Sequence, residues 1–163
     1  YDADADESHS YSYTVSYKGF HFVIMNTDYK LQTGCSKDVL DGNGNYAIEG
    51  NELDPIRHGG YYEDETLAWL EHWMTTYAAD GKPVFVINHF PFIDTCPLST
   101  YSPIVINDNS IGAQDAQVRA ILAAHDNVVY FCGHLHSAFG MVDPVEVVSE
   151  GVGSFTEVNL PAI

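Results

Sequence analysis

The sequence predicts a layered α/β domain, and three observations carry that expectation. Residues 84–88 and 128–132 are apolar along nearly their whole length, the pattern of strands covered on both faces. A segment of helical periodicity precedes each of them, at residues 63–78 and 114–125. Period-2 alternation marks further strands toward both ends of the chain. The resulting order is β-β, long loop, α-β, long loop, α-β, β-β, which lays helices over a sheet.

Residues 1–10 carry Asp2, Asp4, Asp6 and Glu7 and read as an acidic linker or disordered end; residues 11–163 read as the domain proper. Tyr11, Tyr13, Val15 and Tyr17 alternate with Ser12, Thr14, Ser16 and Lys18, as in a half-buried strand. Lys18-Gly19 is a turn signal, and residues 20–25 complete an antiparallel hairpin. Residues 34–60 form a Gly-, Asn- and Asp-rich loop. In residues 63–78, Leu67, Leu70, Met74 and Tyr77 share one stripe, and Glu63, Asp64 and Glu65 suit the positive end of a helix. Asp80-Gly81 closes that helix. The strand at 84–88 ends at His89-Phe90-Pro91. Residues 97–112 are polar and loop-like. The next helix turns Val118, Ile121, Leu122 and His125 inward, and the strand at 128–132 runs into Gly133-His134-Leu135-His136. Residues 145–148 and 155–159 are the closing strands.

Composition bounds the function. At 163 residues and 18.0 kDa, with 45% hydrophobic content, the chain can bury a core without disulfides. Six Lys plus Arg against 23 Asp plus Glu give a net charge of −17, so no nucleic-acid surface is evident. An anionic substrate stays open, because a bound cation reverses the local field. No apolar run reaches the ~20 residues of a membrane span, and no segment reads as a signal peptide. Cys35, Cys96 and Cys132 are an odd set without a C-x-x-C step, which excludes a thiolate zinc knuckle. Secretion and the cytoplasm fit equally well.

Chemistry concentrates where two central strands end in histidine. Carboxyl ends of strands are where α/β sheets place their sites. Neutral imidazole is a ligand for Zn, Mn or Fe. A His-x-His step alone is a weak signal, and a strand-end His89 strengthens it. Asn88-His89-Phe90-Pro91-Phe92 and Gly133-His134-Leu135-His136-Ser137 resemble the H-x-P and G-H-x-H motifs of the calcineurin-like metallophosphoesterases. Residues 17–27 resemble that family's "y-x-G-x-x-F-i-x-L-D-T" strand, and residues 65–70 its "e-Q-l-x-W-L" helix start. The similarity runs over residues 11–160 in consistent order.

The resemblance implies an α/β/β/α sandwich of which this chain supplies the C-terminal half. It implies two transition-metal ions (Mn, Fe or Zn) that activate a water against a phosphoester. His89 and His134 would bind one ion and His136 the other. The same family needs D-x-H, G-D and G-N-H motifs upstream. The first two are absent from this chain, and its nearest approach to the third, Gly50-Asn51-Glu52, lacks the histidine. The catalytic residues are therefore unknown, and the chain alone is expected to be inactive until joined to the N-terminal half. A non-catalytic metal-binding or interaction module of the same fold is the main alternative. Cupins, metallo-β-lactamases and amidohydrolases also use His-x-His, but the residues following His136 or its place in the chain do not suit them.

Two loop features stand apart. Asp41, Asn43, Asn45 and Glu52 occupy positions 1, 3, 5 and 12 of a calcium-loop pattern, with Tyr46 where glycine is expected. A glycine-rich substrate loop or surface turn is the competing expectation. His58, beside Gly59-Gly60, is a candidate substrate contact or a solvated loop histidine. Asp94, just past Phe92, is a further candidate with no motif behind it.

Overall fold

The computed structural model describes residues 5–9, 11–26, 62, 64–92, 94–95, 111, 114–135, 144–151 and 153–160. In chain order the elements are β1 (Ala5–His9), β2 (Ser12–Tyr17), β3 (Phe20–Ile24), α1 (Asp64–Ala78), β4 (Val84–Ile87), α2 (Asp115–Ala123), β5 (Val128–Cys132), β6 (Val145–Glu150) and β7 (Gly153–Asn159). All seven strands form one sheet of order β1-β2-β3-β4-β5-β7-β6. The middle four, β3, β4, β5 and β7, run parallel. The edges are antiparallel, β1 and β2 on one side and β6 on the other. This mixed sheet with helices packed on it is the α/β fold expected from the alternation of patterns.

The hairpin β2–β3 forms around Lys18 and Gly19, both at positive φ (51° and 78°), which matches the right-handed strand twist. Part of the acidic N-terminal segment joins the sheet as well. Residues 5–9 pair with β2, and a bulge interrupts the register between Ala5 and Glu7.

Helix α1 begins with Asp64 and Glu65 at its positive end and buries Thr66, Leu67, Leu70, Met74 and Tyr77. Gly81, at φ 74°, turns the chain back toward β4, its N–H donating to Ala78 O at 3.1 Å. Helix α2 buries Val118, Leu122 and Ala123. Ile121 and His125, expected inward, are only half-buried. The end of α2 presses so closely on β7 that a Cβ on Gly153 would sit 1.7 Å from Ala123 O. Glycine is required there.

Both helices cover the same face of the sheet. Val23, Met25, Val84, Val86, Val128, Tyr130, Cys132 and Phe155 point into that core. The alternate positions behave differently. Phe22, Ile24, Phe85, Val129, Phe131 and Val158 are half-buried, and Tyr17 and Phe20 are exposed. Phe85 stacks on Phe22 at 5.1 Å and lies 6.2 Å from Phe131. Strands β4 and β5 were expected to be covered on both faces. Among the described residues, helices cover one.

Candidate functional site

Parallel pairing places the ends of β4 and β5 side by side. Ile87 pairs with Phe131, and beyond the strands Asn88 N donates to Phe131 O at 2.9 Å and Gly133 N to His89 O at 3.1 Å. The two strand-end histidines therefore leave adjacent tracks of the sheet at the same level. His89 Nε2 and His134 Nδ1 face each other at 2.9 Å, with ring centroids 4.8 Å apart and planes at 75°. Phe90 flanks both, 4.9 Å from the His89 ring and 4.5 Å from the His134 ring. His89 is exposed and His134 half-exposed, so the pair opens to solvent.

The backbone at His134 is in the left-handed region, at φ 67°. Leu135 N donates to Gly133 O at 2.8 Å, closing a γ-turn centred on His134. The sequence suggested Gly133 as the pivot. Gly133 has no positive φ, and a Cβ there would meet nothing nearer than Leu160 O at 4.0 Å. The sharp bend, and the strain of a positive φ on a non-glycine residue, lie on the histidine itself.

A buried polar network supports His89 from below. Asn88 Nδ2 donates to the Tyr130 hydroxyl at 2.7 Å, and that hydroxyl donates to Phe90 O at 2.6 Å. Tyr130 thus grips the chain on both sides of His89. The Tyr62 hydroxyl also interacts with Asn88. Its backbone is clamped by Gln114, which donates to Tyr62 O at 2.5 Å and accepts from Tyr62 N at 2.7 Å. Burial pushes both phenols well above their ordinary range, so they act as neutral hydrogen-bonding groups. After Pro91, Phe92 is buried against Tyr130 (4.7 Å) and Phe155 (5.1 Å), with the Arg119 guanidinium 5.0 Å from its ring centroid. Arg119 is held in turn by Asp115.

None of these supports was singled out from the sequence. The available signals were Asn88, a polar residue closing an apolar strand, and the parity of Phe155, Glu157 and Asn159, which puts a carboxylate on the core face of β7.

The donor set can be tested against a cation. Two ligands about 2.0–2.1 Å from one ion stand roughly 2.9 Å apart at a right angle and about 3.4 Å apart at the tetrahedral angle. The observed 2.9 Å between His89 Nε2 and His134 Nδ1 lies at the near end of that range. One nitrogen of the pair donates to the other, and a cation held by both would replace that hydrogen bond, because each ring would then give its lone pair to the ion. The pair fits. It is also incomplete: among the described residues no group of three or more His, Cys, Asp or Glu converges on a point.

The remaining candidates divide simply. His136, His58, Asp41, Asn43, Asn45 and Glu52 lie outside the described residues. Asp94 is exposed, at φ 60°. His21 stacks on Tyr77 at 4.0 Å and bonds to Ser16, while His72 meets the Trp73 edge at 4.9 Å. Cys132 is buried and free of any disulfide.

No protein-family model matches this chain, and no curated protein matches it by sequence. Solved structures do match by fold. A crystal structure of a dimetal phosphatase from Danio rerio superposes with a TM-score of 0.54 at 15% identity, over 93% of this chain and 49% of that one. The chain thus has a metallophosphoesterase-like α/β fold and spans about half the length of that structure.

Proposed function

We propose that this chain is part of a dinuclear metal-dependent phosphoester hydrolase and supplies it with three histidine ligands, His89, His134 and His136. The observation that carries the proposal is the facing pair of ring nitrogens, 2.9 Å apart at adjacent parallel strand ends. The shared fold supports it. The ions, of the Mn, Fe or Zn class, would supply Lewis acidity to a phosphoester and a reactive water at neutral pH. The chain's own residues do the positioning. Tyr130 and Asn88 fix the backbone around His89, the γ-turn aims His134, and Phe90 packs against both imidazoles.

Catalysis by residues 1–163 alone is not expected, because no D-x-H or G-D occurs in the chain. The proposed partner is an upstream segment bearing those motifs, with a phosphoester as substrate. That absence also favours the second reading, a non-catalytic module of the same fold. The experiment joins this chain to such a segment and measures hydrolysis of an aryl phosphate and bound metal. His134→Ala should abolish turnover and lower metal content. Unchanged metal and turnover would remove the site assignment. Metal bound without turnover in the parent would select the non-catalytic module.

A further inference from the structure

We propose that Glu157 is a positioning residue for the His89–His134 pair, using one carboxyl oxygen to tie the loop leaving β4 to the end of β5. The inference rests on the reading of that pair as ligands and deepens it. Glu157 lies on the core face of β7, 2% exposed. Its Oε1 accepts the Phe92 N–H at 3.1 Å and the Cys132 thiol at 3.2 Å. Phe92 is three residues beyond His89, and Cys132 is two residues before His134. The two histidine-bearing segments therefore meet on a single atom behind the pair.

The chemistry of the loop explains why an acceptor is needed there. The sheet ladder ends at Gly133 N–His89 O, and Pro91 has no N–H to offer. Pro91 O is taken by Ile111 N at 3.0 Å, and Phe92 O by the Thr95 hydroxyl at 2.8 Å. The Phe92 N–H is buried, and the partner it has is the Glu157 carboxyl. The neighbours of the same parity, Phe155 and Tyr130 across the sheet, show that this core accepts large apolar side chains. A carboxyl at this place is costly to bury unless its hydrogen bonds are used. The bonds of Oε1 are used on the two segments that carry the histidines, while Oε2 is buried without a hydrogen-bond partner among the described residues.

The test is made on residues 1–163 without any activity assay, first with no metal added and then with cobalt. The imidazole nitrogen and proton signals of His89 and His134 are followed by NMR in the parent, Glu157→Gln and Glu157→Leu. Glutamine keeps an acceptor at Oε1, whereas leucine keeps volume and removes the acceptor. The expected result is parent-like imidazole signals with Gln and displaced signals for both histidines with Leu. Added cobalt should bind the Leu variant about tenfold or more weakly, as loss of outer supports does elsewhere. Leu and parent behaving alike, or Gln and Leu perturbing alike, would overturn the proposal.

If Glu157→Leu does not fold, amide exchange in the parent decides. Protection of the Phe92 N–H comparable to the β5 amides is expected, and exchange at the rate of an exposed amide would overturn it. If the parent binds no cobalt, the ligand reading fails, and the imidazole signals still report on Glu157.

Discussion

Replacing Tyr130 by Phe isolates one hydroxyl and reads out both stability and the site. The ring can stay where it is, buried against Phe92 and Phe155. Two hydrogen bonds disappear, the 2.7 Å bond from Asn88 Nδ2 and the 2.6 Å bond to Phe90 O. Each contributes about 1 kcal/mol net, and a buried carbonyl left orphaned costs roughly 1–3 kcal/mol. Because the Tyr62 hydroxyl also interacts with Asn88, part of the loss on that side is recovered. The expected cost is about 2–4 kcal/mol. For a chain of this size that lowers Tm by roughly 4–16 °C. Thermal melting followed by circular dichroism measures it. The same change frees the Asn88 side chain and the backbone carbonyl of residue 90, so the His89 imidazole signals should broaden or move. A Tm within about 1 °C of the parent, together with an unmoved His89 signal, would refute the argument that Tyr130 grips both sides of His89.

Further outcomes follow from the same structure. Burial raises the Glu157 pKa, so its favourable contribution is full below the ordinary Glu range and is lost as pH rises through the folded value. Glu157→Gln removes that loss, so its stability relative to the parent should grow from pH 4 to pH 8 in urea titrations. A flat or falling difference would contradict a raised pKa. Leu70 is fully buried, and Leu70→Ala should cost about 2–5 kcal/mol; a loss under about 1 kcal/mol would mean α1 is not seated as described. If Asp41, Asn43, Asn45 and Glu52 hold calcium, added calcium should raise Tm and Asp41→Ala should abolish the rise. No shift in the parent returns the segment to a surface turn. Residues 1–163 alone, loaded with Mn, Zn or Fe, should hydrolyse an aryl phosphate no faster than their His134→Ala variant. Clear turnover would mean that a carboxylate within the chain completes the site.

Much of this protein is legible in its sequence because the signals are local. A period of 3.6 in Leu67, Leu70, Met74 and Tyr77 fixes α1, since those side chains fall on one stripe whatever surrounds them. The apolar runs at β4 and β5 and the turn pair Lys18-Gly19 are equally self-contained. Histidines placed just past two parallel strands become neighbours once those strands pair, so position together with the H-x-P and G-H-x-H resemblance nominated His89 and His134.

What required the tertiary structure depends on contacts between residues far apart in sequence. Glu157 reaches Phe92 across 65 positions and Cys132 across 25, and Tyr130 reaches Asn88 across 42. No window of residues contains such a pair, and the register that creates it is set by packing of the whole sheet. The pairing of residues 5–9 with β2 has the same origin, because an acidic strand shows no periodicity that a solvated end would lack. The bend at His134 rather than Gly133 was decided by the hydrogen bonds anchoring both sides of it. Sequence specified which side chains could do chemistry, through their place in each element. Folding specified which of them meet and what holds them there, because pairing energies act across the sheet and not along the chain.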